Sequence, residues 1–195
     1  LESGRLQYPI IVKPRFGCGS IAMSVADDEM ALLYYYSRNT RAVNQSYLKY
    51  ESAAEEEKII YQEFLDGQEY GADIINDLNG KHRSVIVKKK IAMRAGETDI
   101  SETVDSPIIR DELERLGKLT NHIANMDVDV FLVDSKPYIL EMNARFGGGY
   151  PFSHMGGCDL PKAIVEWAKG NDVPDEILQS KIGLTAYKEL FITVV

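Results

Sequence analysis

The order of apolar and polar positions predicts a chain of short strands interrupted by a few helices. Short apolar runs bounded by glycine, proline or polar turn residues are typical of strands. Such runs occupy residues 9–13, 21–25, 59–65, 70–75, 83–93, 99–104, 128–133, 139–143 and 184–195. Strand pairs mixed with helices, without a regular strand–helix–strand rhythm, favour an α+β fold over a doubly wound sheet.

Apolar residues at helical spacing predict helices at about 30–36, 107–125 and 160–168. We expect Asp27 to cap the first helix, and Pro107 suits the first turn of the second. The apolar stripe of this second helix runs from Ile109 to Ile123. Residues 37–58 are polar with little period and are predicted to include a mobile loop.

The strand that ends at Asn143 carries the most specific chemistry. Side chains alternate faces along a strand, so Glu141 and Asn143 point to one face, and Arg145 follows them if the chain stays extended. A turn at 134–137 joins this strand to the preceding one, so a hairpin can set Asp129 beside Glu141 and Asn143. A single acid on a strand is often merely solvated. Two carboxylates with an amide oxygen, however, suit Mg²⁺ or Mn²⁺ bound partly through substrate phosphates, and do not suit zinc.

A glycine-containing loop at 14–20 lies between two predicted strands. Its Gly17-x-Gly19-x-x-Ala22 spacing matches a dinucleotide-binding fingerprint in outline, but that fingerprint requires a helix after the turn, and here a strand follows. The glycines instead predict a flexible flap, next to Lys13, whose backbone N–H groups can close over phosphates.

Composition narrows the class of protein. With 195 residues, 45% of them hydrophobic, the chain can form one domain or two small lobes. Its net charge of -8 argues against bulk attraction to nucleic acid or to an anionic membrane, so we expect small anions bound in a local basic pocket. Two cysteines do not form a disulfide framework, and the sequence has no long apolar span, which predicts a cytoplasmic protein.

Three motifs together resemble the ATP-grasp family, and within it the carbamoyl phosphate synthase large subunit and related carboxylate-amine ligases. They are the flap that begins at Lys13, the segment 60–70 and the strand and glycine run at 139–149. The resemblance implies an ATP-grasp fold of two α+β lobes with ATP bound between them. It assigns residues 8–66 to a flap and connector lobe and residues 67–195 to a metal-binding lobe.

The resemblance also implies a role for each matching residue. The nucleotide would be bound by Lys13, Glu63, Phe64, Leu65, Glu69 and Phe131, the metal by Asp129, Glu141 and Asn143, and the transferring group by Arg145, Arg94 and Lys90. Two of these assignments compete with simpler interpretations, because Phe64 and Leu65 could be plain core and the run at 88–90 a solvated strand face. His154 could contact substrate or be an ordinary loop histidine.

The implied activity is that of an ATP-dependent ligase. A carboxylate, or a carbamate, would attack the γ-phosphate to form an acyl phosphate, and an amine or another nucleophile would then displace phosphate. The expected partners are small-molecule carboxylates and amines, with ATP and Mg²⁺ or Mn²⁺ as cofactors and homodimer formation left open. The alternatives are a non-catalytic nucleotide-binding module of a larger assembly and an interaction domain whose acidic hairpin is coincidental.

The chain departs from carbamoyl phosphate synthase in two respects: its flap has fewer glycines, and Asp129 stands where that enzyme has an amide. A stand-alone ligase with a different substrate is therefore equally consistent with the sequence. Leu1 is not an initiator methionine, and the first strand begins within about ten residues of it, so we expect a fragment of a longer protein. The resemblance places a nucleotide-fold domain and a further basic residue upstream.

Overall fold

A computed structural model describes residues 6–17, 21–53 and 56–189. The chain divides into two compact units, and the division along the sequence lies between Asp66 and Gly67. The expectations for Cys18, Gly19 and Ser20 in the flap, and for the final residues 190–195, lie outside the described residues. None of the helices in the described ranges is long and apolar enough to span a bilayer.

The N-terminal unit is a three-stranded antiparallel sheet with helices packed on it. Its elements are β1 (Ile10–Pro14), β2 (Ser24–Ala26), α1 (Glu29–Gln45), α2 (Leu48–Glu51) and β3 (Ile59–Glu63). The strand order is β2–β1–β3, so the first strand is central. Its core is built from the buried residues Ile10, Val12, Ala26, Leu32, Val43, Leu48 and Ile59.

Helix α1 is much longer than the sequence predicted, and it takes in residues 37–45 of the segment that was expected to include a mobile loop. The N-cap is Asp28 rather than Asp27, because the Asp28 carboxylate accepts the backbone N–H of Ala31 at 2.8 Å. The helix continues because tertiary contacts support its polar second half. Asn39 is buried there, and its side-chain amide donates to the Val12 carbonyl at 3.1 Å.

The C-terminal unit is a six-stranded antiparallel sheet in the order β8–β7–β4–β5–β6–β9. Its strands are β4 (Gln68–Asn76), β5 (His82–Arg94), β6 (Glu97–Thr103), β7 (Ala124–Val133), β8 (Lys136–Asn143) and β9 (Thr185–Tyr187). Its helices are α3 (Pro107–Thr120), α4 (Tyr150–Met155) and α5 (Leu160–Ala168), followed by a short 3₁₀ helix at Asp175–Leu178. Antiparallel sheets with separate helices confirm the predicted α+β class.

The two faces of this sheet are covered differently. One face packs against α3 through an apolar cluster that includes Ala72, Ile74, Ile109, Leu113, Val128 and Val130. On the other face, Ile75 and Ile86 pack at one end against residues of α4 and α5. The rest of that second face carries polar and charged side chains, because alternation along β4, β5 and β7 turns residues 69, 73, 88, 90, 127 and 129 toward it.

Three further expectations need correction. Helix α3 ends at Thr120 because Asn121 adopts a left-handed backbone with φ of 47°, so Ile123 lies beyond the helix and is exposed. Strand β2 is shorter than 21–25, since Ala22 lies in a turn with φ of 55°. Helix α4 was not predicted, because its six residues are too few to show helical periodicity.

Candidate functional site

The hairpin of β7 and β8 brings the predicted acidic residues together. Asp129 lies directly opposite Glu141, and Asn143 lies opposite Asp127 in the same register. The chain reverses at Asp134 and Ser135, which both have positive φ, as a tight hairpin turn requires. Directly opposed residues share one face of the sheet, so the hairpin presents these four side chains to one side.

Lys90 connects this hairpin to the middle of the sheet. Its ammonium contacts the Asp129 carboxylate and the Glu69 carboxylate, each at 2.7 Å. Burial alone would lower the pKa of Lys90, but the charge and hydrogen bonds of Asp129 and Glu69 outweigh it and raise that pKa. Lys90 is therefore a fixed cation between two of the predicted ligand-binding acids.

The Lys90 side chain reaches Asp129 by passing over Gly71 of β4. Gly71 pairs with Asp129 on one side and with Lys88 on the other. A Cβ at this glycine would lie 3.4 Å from Cε of Lys90 and 3.7 Å from the Asp129 carboxylate. Because Gly71 has no side chain, Lys90 of β5 can extend over β4 and reach Asp129 of β7.

The donor set of the hairpin fits a hard divalent cation. The Asn143 side-chain amide donates to the Glu141 carboxylate at 3.2 Å, which leaves the amide oxygen of Asn143 as an acceptor. Two carboxylates and one amide oxygen are too few to enclose a cation, and no group of three His, Cys, Asp or Glu side chains within the described residues could hold one. Carboxylate and amide oxygens are the donor types that suit Mg²⁺ bound partly through phosphates.

A tight loop after β8 packs against Asp127, which is not among the predicted site residues. A Cβ at Gly147 would lie only 2.0 Å from the Asp127 carboxyl carbon, so no residue larger than glycine fits without a shift of the loop. The Arg145 guanidinium lies 3.6 Å from the same carboxylate and is more than half exposed. Burial, with the nearby charges of Asp129 and Asp73, raises the pKa of Asp127 to about 6.

Arg94 lies at the far end of β5, in a separate cleft. Its guanidinium forms an ion pair with Asp99 and donates to the Lys188 carbonyl at 3.3 Å. The cleft has a volume of about 420 Å³ and is also lined by Glu97. It borders the glycine loop, because a Cβ at Gly148 would lie 3.6 Å from the Glu97 carboxylate. The structure thus places Arg94 near the loop, and its described partners differ from those of Lys90.

The remaining predicted nucleotide residues are spread over both units. Within the N-terminal unit, Lys13 is half-buried in β1, Glu63 ends β3, and Phe64 and Leu65 follow it. Within the C-terminal unit, Phe131 pairs with Glu69 across β7 and β4.

His154 lies in α4, and its ring contacts polar groups of neighbouring residues. Its Nδ1 lies 3.2 Å from the Cys158 carbonyl and 3.5 Å from the Tyr150 hydroxyl. These contacts tie α4 to the segment that follows it. The loop assignment of His154 is wrong, because this exposed residue lies in α4, and its contact with substrate stays a prediction.

Asp127, Asp73 and Lys88 were missed as site residues, although the sequence contains a signal for them. Asp73 and Asp127 interrupt apolar runs, and Lys88 begins the basic run at 88–90. Asp127 also precedes Asp129 by two positions, which places both on one face. The strand is predicted to begin at residue 128, whereas β7 begins at Ala124.

Comparisons with known proteins place this architecture in a family. A profile of the ATP-grasp domain matches residues 2–149. The carbamoyl phosphate synthase large chain of Pyrococcus furiosus is 26% identical in an alignment of 159 residues that covers 76% of this chain and 14% of that protein. This chain thus spans a small part of that relative.

Two solved structures illustrate the shared fold. The biotin carboxylase domain dimer of Hydrogenobacter thermophilus 2-oxoglutarate carboxylase, in complex with MgADP, ADP and bicarbonate, has a TM-score of 0.70 at 15% identity, covering 89% of this chain and 40% of that one. An L-amino acid ligase from Bacillus licheniformis has a TM-score of 0.64 at 20% identity, covering 92% of this chain and 46% of that one. The predicted fold is confirmed, and, since the family profile matches most of its length, the chain belongs to the ATP-grasp domain family.

Proposed function

We propose that the protein is an ATP-dependent ligase that activates a carboxylate, or a carbamate, as an acyl phosphate for attack by an amine or another nucleophile. The observation that carries this proposal is the hairpin register, in which Asp129 and Glu141 lie opposite each other beside Asn143. This open set of oxygen donors fits a metal that is shared with phosphates. The membership in the ATP-grasp domain family and the similarity to a ligase and a carboxylase support the same general chemistry.

The metal-binding role falls to the hairpin. Asp129, Glu141 and Asn143 would hold Mg²⁺ or Mn²⁺, which when bound neutralises charge on the phosphate oxygens. Lys90 keeps the Asp129 carboxylate in place at 2.7 Å and lowers the negative charge of the face that the phosphates approach. The exposed guanidinium of Arg145 would stabilise charge on the transferring phosphoryl group.

The nucleotide-binding role falls to residues of both units. We propose that Lys13 contacts the phosphates, that residues 63–65 bind the adenine edge, and that Glu69 accepts from ribose hydroxyls. Phe131 would pack on the base. Residues 8–66 would then act as the flap and connector lobe, and residues 67–195 as the metal-binding lobe.

The reaction needs no nucleophile from the protein. An oxygen of the substrate carboxylate attacks the γ-phosphorus, and the bond from that phosphorus to the bridging oxygen breaks to release ADP. The amine nitrogen then attacks the acyl carbon, phosphate leaves, and the nitrogen loses a proton. Cys158 is unsuited to compete, because it is fully buried and burial raises the pKa of its thiol to about 12. Arg94 and its cleft, beside the glycine loop, would line the acyl-phosphate pocket.

ADP release in the presence of candidate carboxylates tests this proposal. The chain is mixed with Mg-ATP, an amine mixture and one carboxylate at a time, including bicarbonate and free amino acids. We expect at least one carboxylate to raise ADP release, and Glu141→Gln to remove that increase. Asp134→Asn is the matched control, because it changes an exposed acid at the turn of the same hairpin.

The same measurement separates the ligase from a binding module. Thermal stabilisation by Mg-ADP without ADP release from any carboxylate would favour a non-catalytic nucleotide-binding module. If Mg-ADP does not stabilise the protein and no carboxylate raises ADP release, both interpretations are contradicted. The cytoplasmic location and the homodimer stay predictions.

A further inference from the structure

Four polar side chains form a buried network directly beneath the glycine loop. Lys88 and Asp73 form an ion pair in which both side chains are at most 2% exposed. The Ser153 hydroxyl donates to the Asp73 carboxylate at 2.5 Å and lies 3.0 Å from the Lys88 ammonium. The Asn125 side-chain amide donates to the other Asp73 oxygen at 3.0 Å. The network therefore joins β4, β5, β7 and α4.

The network contacts both ends of the loop through backbone carbonyls. The Asn125 amide donates to the carbonyl of Arg145 at 3.2 Å, and the Lys88 ammonium donates to the carbonyl of Gly149 at 3.2 Å. Between these two points, Gly147 lies against the Asp127 carboxylate. The backbone from Arg145 to Gly149 is thus held at its start, its middle and its end.

The composition of the network argues against a purely stabilising role. Taking a buried ion pair out of water costs about as much as its attraction returns, so an apolar pair of similar size would often be as stable. Asn125 points to the same conclusion, because its Oδ1 is buried without a hydrogen-bond partner among the described residues. A buried acceptor is left unpaired while both Asn125 donor bonds are made, one of them to the loop.

We propose that Lys88, Asp73, Asn125 and Ser153 are positioning residues that hold the Arg145–Gly149 loop in the geometry required for phosphoryl transfer. This inference rests on the proposed function, in which the guanidinium of Arg145 meets the transferring group. The network contacts backbone atoms at the base of the loop, so it fixes where Arg145 starts without contacting the substrate. Side chains that orient catalytic groups in this way are required for full activity although they touch nothing that reacts.

The test replaces the ion pair by an apolar pair of similar volume. The double variant Asp73→Leu/Lys88→Met removes both charges together, so that neither is left buried alone. Ser153→Ala is the second variant, and it carries the test if the double variant does not fold. The matched control is Arg83→Met on the same strand, since Arg83 pairs with Asp175 at 2.6 Å and donates to the Val173 carbonyl, away from the loop.

Two readouts separate positioning from general stability. The first is hydrogen exchange at the amides of residues 145–149 in the ligand-free chain. The second is the split between kcat and the KM for Mg-ATP in the ADP-release assay. We expect faster loop exchange and a kcat that is lower by about 10- to 100-fold, with little change in KM, in the double variant and in Ser153→Ala. Arg83→Met leaves both readouts at the wild-type value. Lys88→Arg, which keeps the charge, recovers slow exchange.

Equal loop exchange in the wild type and both network variants would overturn the proposal, and so would the same acceleration in Arg83→Met. The exchange measurement does not depend on turnover. If the wild-type chain releases no ADP with any carboxylate, the proposed function fails, while faster exchange confined to the loop of the network variants still supports the positioning role.

Discussion

The two faces of the six-stranded sheet are built on opposite principles. The face under α3 is apolar, and Ile109 and Leu113 of that helix are almost completely buried on it. The other face carries charged side chains from four neighbouring strands, including the buried pair of Lys88 and Asp73. Both faces belong to the same strands, so the difference follows only from which residues alternate to which side.

The apolar face contributes mainly to the stability of the fold, whereas the charged face mainly fixes the positions of polar side chains. Burial of apolar area stabilises the fold without requiring one particular geometry, and it tolerates small changes of shape at moderate cost. Charges on the opposite face gain little net stability, because desolvation offsets their attraction, yet their hydrogen bonds fix distances and directions. We therefore expect changes on the two faces to affect different measurable quantities.

The largest expected effect is that of breaking the buried ion pair on one side only. Lys88→Met leaves the Asp73 carboxylate buried without its cation, which we expect to lower the free energy of unfolding by about 3–5 kcal/mol. Urea unfolding followed by circular dichroism measures this change. A loss below about 1 kcal/mol would mean that Asp73 is solvated in the folded protein, against the burial described above.

The next effect concerns turnover rather than stability. Glu141→Ala removes a predicted metal ligand from an exposed position, so we expect ADP release to fall by about 10²- to 10³-fold, the cost of one lost charge-stabilising contact. The free energy of unfolding should change by no more than about 0.5 kcal/mol, as for other surface substitutions. Turnover at the wild-type rate, with Mg²⁺ varied to saturation, would remove Glu141 from the site.

A smaller effect is expected on the apolar face. Ile109→Val deletes one methylene under α3 and should lower the free energy of unfolding by about 0.5–1.5 kcal/mol. We expect kcat and the KM for Mg-ATP to stay unchanged, because Ile109 lies in the apolar cluster on the face opposite the candidate site. If kcat changes although the variant is fully folded, packing on the apolar face influences the candidate site on the opposite face.

The smallest effect is a pH dependence on the α3 side. Burial lowers the pKa of His82 below its ordinary value of 6.5, with Glu114 opposing the shift and Lys118 and His122 adding to it. The unfolded chain therefore binds a proton at His82 more readily than the folded chain does. Although the raised pKa of Asp127 gives a slope of opposite sign, the contribution of His82 to the free energy of unfolding should fall as the pH decreases through about 6.5. His82→Gln should reduce that slope, as measured by urea unfolding at a series of pH values. A slope identical to that of the wild type would assign the pH dependence to other groups.

The sequence predicted those parts of the fold that local patterns determine. The hairpin of β7 and β8 is confirmed, since alternation and a polar turn specify it within sixteen residues. Helix α5 matches its predicted bounds because its apolar spacing and its cap at Asp159 lie within the segment itself. Helix α1 was underestimated, because Asn39 gains its partner at Val12 only after the chain has folded.

In the candidate site, too, only the features that local sequence patterns determine could be predicted. Glu141, Asn143 and Asp129 follow from alternation on two adjacent strands. The partners of Lys90 do not, because Glu69 and Asp129 are 60 positions apart in sequence and meet only through the pairing of β4 with β7. The network under the glycine loop joins four elements, and no local pattern specifies such an arrangement.

Gly71 carries no functional group, yet it limits how this chain can vary. The lysine that links β5 to β7 passes through the room that this glycine leaves open, with its Cε 3.4 Å from where a Cβ would lie. Alanine fits at that separation, whereas a branched side chain would occupy the path of the lysine. In a saturation mutagenesis experiment scored by turnover, position 71 should therefore accept only glycine and alanine. It should be about as intolerant of substitution as Lys90 and Asp129, the two charged residues whose contact it permits.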